Sequence, residues 1–127
     1  MTQDFGKDDL MNILEGVSDG VIKLDRGANY VALNRAASDI FRQLGRDPLK
    51  VIGQSLWEVF PETKGTIVER ELNRVFKEGV PTKYDFYLPP AKRWYETSAY
   101  PSKEGVILVF RDITQSKVNL PSENEVE

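Results

Sequence analysis

The segment Gly105–Thr114 reads GVILVFRDIT, and its five consecutive residues Val106–Phe110 are all large and apolar. Successive side chains of a β-strand point to opposite faces of a sheet. A strand that is apolar at every position is therefore typical of a sheet interior that is covered on both faces. We predict that Val106–Phe110 forms the centre of a strand, Gly105–Ile113, in the middle of a sheet.

Two more strand patterns precede this segment. Residues Lys83–Leu88 and Trp94–Tyr100 are rich in aromatic and β-branched side chains. The breaks at Pro89–Lys92 and Pro101–Glu104 are short and contain proline, as turns do. Short breaks favour antiparallel neighbours, so the carboxyl-terminal half predicts three strands that pair in sequence order.

The amino-terminal half predicts a hairpin followed by helices. Two β-prone runs, Gly20–Asp25 and Asn29–Leu33, flank the glycine-containing turn Arg26–Ala28. Before this hairpin, apolar residues recur at helical spacing in a short amphipathic helix, at Leu10, Ile13, Leu14 and Val17.

Three helix starts follow the hairpin. Asn34 is a suitable N-cap for a helix over 35–44, which Gly45 would end. Ser55 and Glu58 have the spacing of a capping box, and Pro61 limits that helix to one or two turns. A third helix, over 66–78, has one apolar face and ends at Gly79.

Composition restricts the classes of function. The chain has 127 residues, 40% hydrophobic and 29% charged, which predicts one soluble domain with a packed core. A net charge of -3 and scattered basic residues argue against direct nucleic-acid binding. No apolar window is long enough to cross a bilayer and the start is polar, so we expect a cytoplasmic protein with no membrane partner.

The chain also contains no Cys and no His. Their absence removes disulfides, thiolate nucleophiles, Ser-His-Asp triads and the favoured ligands of zinc, so we expect no metal site. It excludes haem held by a proximal histidine. No carboxylate pair suited to hydrolysis is visible in the sequence, so we expect no catalytic residues and no enzyme.

The order of elements, a helix, two strands, three helices and three strands, resembles the PAS domain family. The residues that carry the resemblance are Gly20–Ile22 with Asp25, Asn34–Ala37, Ile52–Leu56, Phe60–Pro61, Trp94–Glu96, Pro101, and Gly105–Thr114 with its Asp-Ile-Thr ending. The likeness covers residues 10–117. It divides the chain into a tail at 1–9, a PAS domain at 10–117, and a flexible acidic tail or truncated linker at 118–127.

The resemblance implies an α+β fold with a five-stranded antiparallel sheet, whose concave face is crossed by the helices and leaves a pocket. Residues that these elements could direct into the pocket are the ligand-binding candidates. They are Phe41, Leu44, Ile52, Leu56, Trp57, Phe60, Val68, Leu72, Val75, Tyr84, Phe86 and Tyr95. A stripe of such residues is also what an ordinary core requires.

Strand 93–100 leaves its orientation open. Trp94, Glu96, Ser98 and Tyr100 share one face, whereas Tyr95, Thr97 and Ala99 share the other, and a slip of one residue would exchange the two sets. We favour Tyr95 facing inward. Glu96 is assigned no chemistry, since a single strand carboxylate is usually solvated or paired with arginine.

In PAS proteins the terminal Asp-Ile-Thr signature joins the sensor to an output helix. The resemblance therefore assigns a signal-relay role to Asp112 and Thr114, although Asp-x-Thr also caps a following segment without any such role. Pro121 and the end at Glu127 leave no room here for an output domain. A histidine kinase or cyclase type of output domain is expected on a parent chain or in trans.

The sequence thus predicts a sensory PAS module of a two-component or similar bacterial-type regulator, which binds a small ligand non-covalently and relays its state through the last strand. The cofactor is unknown, but a covalent flavin adduct is excluded because it needs a cysteine. The alternative is a ligand-free module for protein-protein interaction. Its homodimer would form through Leu10, Ile13, Leu14 and Val17 and the outer face of the sheet.

Overall fold

A computed structural model describes residues 19–119, in which a five-stranded antiparallel sheet carries helices on one face. The strands are β1 Gly20–Asp25, β2 Tyr30–Leu33, β3 Thr82–Leu88, β4 Arg93–Ser102 and β5 Gly105–Asp112. The helices are α1 Arg35–Gln43, α2 Pro48–Val51, α3 Leu56–Val59, α4 Ile67–Glu78 and α5 Thr114–Asn119, with a 3₁₀ turn at Pro61–Thr63. The predicted α+β class and sheet are confirmed.

Strand β5 lies at the centre of the sheet, whose order is β2-β1-β5-β4-β3. Leu108 of β5 is opposite Ile22 of β1 on one side and Ala99 of β4 on the other. All three are buried on the helix-covered face. The predicted central position is confirmed, but cover on the opposite face is partial, because Ile107 and Val109 are only half-buried.

The β1-β2 hairpin turns through residues 26–29 and is held by Asp25. Its Oδ1 atom accepts hydrogen bonds from the backbone N–H groups of Gly27 at 2.8 Å and Asn29 at 3.0 Å. The positive φ of the turn, 63°, belongs to Ala28 rather than to Gly27. The carboxylate thus supplies the bonds that make this local conformation stable.

The two longer helices begin and end as predicted. Asn34 caps α1 by accepting a hydrogen bond from the N–H of Ala37, and Gly45 follows with a φ of +78°. Thr66 caps α4, which ends at Gly79 in the left-handed conformation. These signals are local, which explains why the sequence reveals them.

The segment between these helices holds two short ones. Ser55 and Glu58 form the predicted capping box at α3, and Pro61 ends α3 and opens the 3₁₀ turn. Helix α2 was not predicted. It has four residues, with Asp47 as N-cap and Pro48 in its first turn, and is too short to show helical periodicity.

Several predictions fall on residues outside 19–119. They are the helix at Leu10–Val17, the tail at 1–9 and the segment 120–127, whereas residues 118 and 119 complete α5. Within the described part of the chain, none of the helices has the combined length and apolarity that a bilayer crossing requires.

Candidate functional site

A cavity of about 70 Å³ lies between the helix-covered face of the sheet and helices α1, α3 and α4. Strands β1 to β5 supply its floor and the helices its roof. The residues that line it are Ile22, Tyr30, Ile40, Phe41, Leu44, Leu56, Phe60, Thr63, Val68, Tyr84, Phe86, Leu88, Tyr95, Thr97, Leu108 and Phe110.

Aromatic rings in mutual contact form two sides of the cavity. On the side of α1, the ring of Phe41 meets Tyr30 at 5.5 Å and Phe60 at 5.3 Å between centroids, both edge to face. On the sheet, Tyr95 lies 5.9 Å from Phe86 and 5.6 Å from Phe110. Three of these four contacts are edge to face, a geometry that aromatic pairs favour, and the contact between Phe86 and Tyr95 is tilted.

Two hydroxyl groups in the cavity wall lack a hydrogen-bond partner of good geometry within the described residues. They are Tyr30 Oη and Thr97 Oγ1, in side chains that are 1% and 3% exposed. Thr97 lies on β4 between Phe110 of β5 and Tyr84 of β3. Both oxygens are fully buried behind neighbouring atoms, and a buried polar group without a partner is costly to the stability of the fold.

The phenols in this region are held neutral. Burial raises the pKa of Tyr30, against the opposing effect of the nearby Arg46 charge. Burial also raises the pKa of Tyr84, helped by the negative charge of Glu71, while the nearby Thr97 hydroxyl acts in the opposite direction. Both side chains therefore remain hydrogen-bond donors across the physiological pH range.

No charged side chain is among the lining residues in 19–119. The hydroxyl of Thr63 is already engaged, since it donates to the carbonyl oxygen of Phe60 at 2.7 Å. Arg46 lies behind the wall, with its guanidinium carbon 4.7 Å from the Phe60 ring centroid and its Nη1 donating to the carbonyl oxygen of Leu44. The cavity is thus apolar with a few neutral polar atoms.

Eight of the twelve predicted pocket residues line the cavity: Phe41, Leu44, Leu56, Phe60, Val68, Tyr84, Phe86 and Tyr95. The other four do not. Leu72 and Val75 are fully buried in the core, because α4 contacts the sheet beyond the cavity after the turn that carries Val68. Ile52 is 43% exposed after the end of α2, and Trp57 packs at the edge of the core under Lys64.

Sequence reasoning missed the other lining residues. Strand register brings five of them to the cavity, since it pairs Thr97 with Phe110 and Ile22 with Leu108. The five are Ile22, Leu88, Thr97, Leu108 and Phe110. Alternation along β4 could have suggested Thr97, because it shares a face with Tyr95. Tyr30, Ile40 and Thr63 carried no signal that separates them from ordinary core or loop residues.

Tyr95 faces inward and is 4% exposed, the orientation favoured from sequence. Glu96 consequently lies on the opposite face. Its carboxylate pairs with Arg111 at 3.1 Å and Lys83 at 3.7 Å across neighbouring strands. The arrangement is that of a surface ion-pair ladder rather than of a catalytic acid.

The Asp-Ile-Thr segment lies at the junction of β5 and α5 and makes three hydrogen bonds. Asp112 Oδ1 accepts from the N–H of Thr114 at 2.9 Å, and Thr114 Oγ1 accepts from the N–H of Trp94 at 2.8 Å. The N–H of Ile113 donates to the carbonyl oxygen of Trp94 at 2.9 Å. Thr114 therefore attaches the start of α5 to Trp94 of β4, whereas Asp112 binds the N–H of Thr114 and lies 3.4 Å from Arg93 Nη1 at the start of β4.

Helix α5 is also held on the outer face of the sheet by Lys117. Its Nζ lies 3.2 Å from Asp85 Oδ2 on β3 and 4.7 Å from the ring centroid of Trp94. Trp94 is the neighbour of Tyr95, and strand alternation places the two on opposite faces. Strand β4 thus contacts the cavity through Tyr95 and contacts α5 through Trp94.

Two other predictions concern sites elsewhere. The dimerisation residues Leu10, Ile13, Leu14 and Val17 lie outside residues 19–119. Across that described range, no cluster of three or more acidic, His or Cys side chains is placed to hold a metal ion.

Solved structures share this fold. The PAS domain of a Colwellia psychrerythraea protein has a TM-score of 0.66 at 16% identity, over 88% of this chain and 99% of that one. The photoactive yellow protein domain of the sensor histidine kinase Ppr from Rhodospirillum centenum has a TM-score of 0.64 at 20% identity, over 80% of this chain and 91% of that one. The PAS domain of the Cronobacter turicensis quorum-sensing receptor RpfR, in complex with BDSF, has a TM-score of 0.64 at 20% identity, over 77% of this chain and 96% of that one.

Sequence comparison gives a family but no individual relative. No curated protein matches the chain significantly. The sequence profile described as the PAS fold matches residues 14–118, which span the sheet, the helices and the cavity between them. This chain belongs to the PAS fold family.

Proposed function

We propose that this domain is a sensory module that binds a small molecule non-covalently in the cavity between sheet and helices. The observation that carries the proposal is a space of about 70 Å³ between sheet and helices, lined by aliphatic and aromatic side chains with a few neutral polar residues. A concave and mostly apolar space is what a small-molecule site requires, whereas a finished core is closely packed. The Cronobacter turicensis RpfR domain, whose structure is a complex with BDSF, supports a ligand-binding role for this fold.

We also propose that occupancy is relayed along β4 to α5. A ligand that contacts Tyr95 acts on β4. The preceding residue of the same strand, Trp94, contacts Thr114 and Lys117. A small shift of β4 would alter those contacts, and Asp112 and Thr114 would transmit the change to the chain that follows. The output partner is a histidine kinase or cyclase type of domain in the same protein or in trans. The Rhodospirillum centenum domain belongs to a sensor histidine kinase, which supports a histidine kinase as the output domain.

Binding is tested by filling the cavity. Val68→Phe places a ring in the cavity, and Asn73→Phe adds the same ring at an exposed position of α4. Native mass spectrometry and thermal shift across a metabolite panel should find a ligand for the wild type and the Asn73 variant but not for the Val68 variant. No ligand for the wild type in either assay would overturn the proposal.

The relay is tested by amide hydrogen exchange of α5 with and without ligand. Thr114→Val removes the acceptor of the Trp94 N–H, so exchange in α5 should rise about tenfold and become independent of ligand. Ser116→Ala, at an exposed position of α5, should keep the ligand response. A ligand response that survives Thr114→Val would contradict the relay.

A second candidate function is self-association through the outer face of the sheet. Tyr100 is 47% exposed there, and Ile107 and Val109 are only half-buried. Partly exposed apolar residues in the middle of a sheet are suited to cover by another chain. Light scattering should show a dimer that Ile107→Asp dissociates, whereas a monomer at high concentration would exclude this role.

A further inference from the structure

The cavity adjoins a groove on the surface of the domain. This edge groove has a volume of about 240 Å³ and lies between β3, at the edge of the sheet, and the 3₁₀ turn with the start of α4. Thr63, Phe86 and Leu88 line both the cavity and the edge groove, so their side chains form the wall between the two spaces. A route through this wall serves a purpose only if the cavity binds a molecule, so the inference rests on the proposed function.

Two of the three wall residues are held in place. Thr63 is 5% exposed, its Oγ1 donates to the carbonyl oxygen of Phe60 at 2.7 Å, and its own carbonyl oxygen accepts from Thr66 Oγ1 at 2.6 Å. Leu88 is 6% exposed, and its carbonyl oxygen accepts from two N–H groups of the turn that follows β3. Displacement of either residue would break hydrogen bonds or expose buried carbon to water.

Phe86 is the least constrained of the three. Its side chain is partly exposed, and within residues 19–119 no strand pairs with the free side of β3. Its ring lies 6.1 Å from that of Tyr84 and 5.9 Å from that of Tyr95 between centroids, and both contacts are tilted rather than edge to face. Side chains that reach the surface change rotamer rapidly. Rotation of this ring toward solvent therefore opens the wall without movement of the backbone.

We infer that ligands enter the cavity from the edge groove and that the ring of Phe86 is the gate. The size of this side chain then sets how fast a molecule reaches the cavity. Ile40 and Leu44 are the other lining residues in 19–119 that keep part of their surface exposed. They lie one turn apart on α1 and do not line the edge groove, so the α1 side is the competing route.

Because the chain contains no cysteine, single introduced thiols can report access to its interior. Val68→Cys places a thiol in the cavity wall, and Val75→Cys places one on the same helix in the core beyond the cavity. The two valines are 4% and 1% exposed, so both thiols are hidden from solvent in the closed protein. The rate at which methyl methanethiosulfonate modifies each thiol, followed by mass spectrometry of the full chain, measures how often it becomes accessible.

Each reporter is combined with substitutions at the gate and elsewhere. Phe86→Ala should raise the modification rate of the Val68→Cys thiol about tenfold, and Phe86→Trp should lower it, because local opening controls the reaction. The Val75→Cys thiol should respond far less, since it reports wider opening of the fold. Leu44→Ala should raise the Val68→Cys rate less than Phe86→Ala does. Tyr100→Ala, which removes a ring that is 47% exposed on the outer face of β4, should change neither rate.

Three results would overturn the gate. An equal rise at both thiols in Phe86→Ala would show a general loss of stability instead of a local opening. A larger effect of Leu44→Ala than of Phe86→Ala would place the entrance at α1. If Phe86→Ala does not fold, an unchanged Val68→Cys rate in Phe86→Trp would be equally decisive.

The experiment needs no ligand, so its outcome is separate from that of the proposed function. If the Phe86 substitutions act as expected but the metabolite panel finds no ligand, the route into the cavity stands and the ligand-binding function fails. If a metabolite binds the wild type but the Phe86 substitutions leave the modification rates unchanged, the gate fails alone.

Discussion

Asn34 binds Val21 across the junction between sheet and helix, with its Oδ1 accepting from the backbone N–H of Val21 at 2.9 Å. The same oxygen accepts from the N–H of Ala37 at 3.0 Å, and Nδ2 donates to the carbonyl oxygen of Asp19 at 3.1 Å. Asn34 is 1% exposed. One buried side chain therefore caps α1 and attaches it to β1, which sets the position of Phe41 above the sheet.

Asn34→Ala should lower the free energy of unfolding by about 2–4 kcal/mol, because the helix loses its cap and the buried N–H of Val21 loses its acceptor. Urea denaturation followed by circular dichroism measures the change. Asp47→Ala removes the exposed cap of the short helix α2 and should cost about 1 kcal/mol or less. Equal losses in the two variants would show that the contact with Val21 contributes nothing.

Gly105→Ala should lower the free energy of unfolding by about 2–3 kcal/mol. A Cβ atom at this position would overlap the carbonyl oxygen of Leu24 on the neighbouring strand, which is backbone and has little freedom to move. Gly27→Ala is the control, since its Cβ would meet only side-chain atoms, Asn29 Nδ2 at 3.1 Å and Asp25 Oδ1 at 3.5 Å. Thermal denaturation that gives the same midpoint for both variants would contradict the close approach of β5 to β1.

The fold was predictable from sequence where short-range chemistry decides it. The cap at Asn34, the capping box of Ser55 and Glu58, and the stop at Gly79 act within one helical turn. The apolar run Val106–Phe110 identified the central strand. Helix α2 was not predicted, because its four residues around Pro48 are too few to show helical periodicity.

The cavity was only partly predictable, because its floor depends on the register between strands. Thr97 reaches it through pairing with Phe110 and Tyr84, which are distant in sequence. Ile52 does not line the cavity, because it lies after the end of a short helix, where no repeat fixes the direction of a side chain. Leu72 and Val75 were assigned to the correct helix face, but that face extends past the cavity.

Removal of an unpartnered hydroxyl should stabilise the ligand-free protein. We expect Thr97→Val to raise the free energy of unfolding by about 0.5–1.5 kcal/mol, since valine keeps the shape and loses the unsatisfied group. Thr63→Val should lower it by about 1 kcal/mol, because that hydroxyl donates to Phe60. Chemical denaturation of both variants decides the matter, and a loss of stability in Thr97→Val would mean that its hydroxyl is already satisfied.

Asp25 should contribute to the acid sensitivity of the fold. Hydrogen bonds from the backbone N–H of Asn29, its side chain and the N–H of Gly27 hold the pKa of Asp25 below its usual range, despite opposing desolvation. A depressed pKa gives stability that is present above the ordinary pKa and is lost as the pH falls through the folded value. The urea midpoints of the wild type and Asp25→Asn should therefore converge below about pH 4. A constant difference between pH 6 and pH 2.5 would refute this.

The occupancy of the cavity is tested most directly by a high-resolution crystal structure of the protein purified from cells. The account predicts density for one small molecule between the sheet and helices α1, α3 and α4. A cavity closed by rotated side chains of its own lining residues, with no molecule inside, would contradict it.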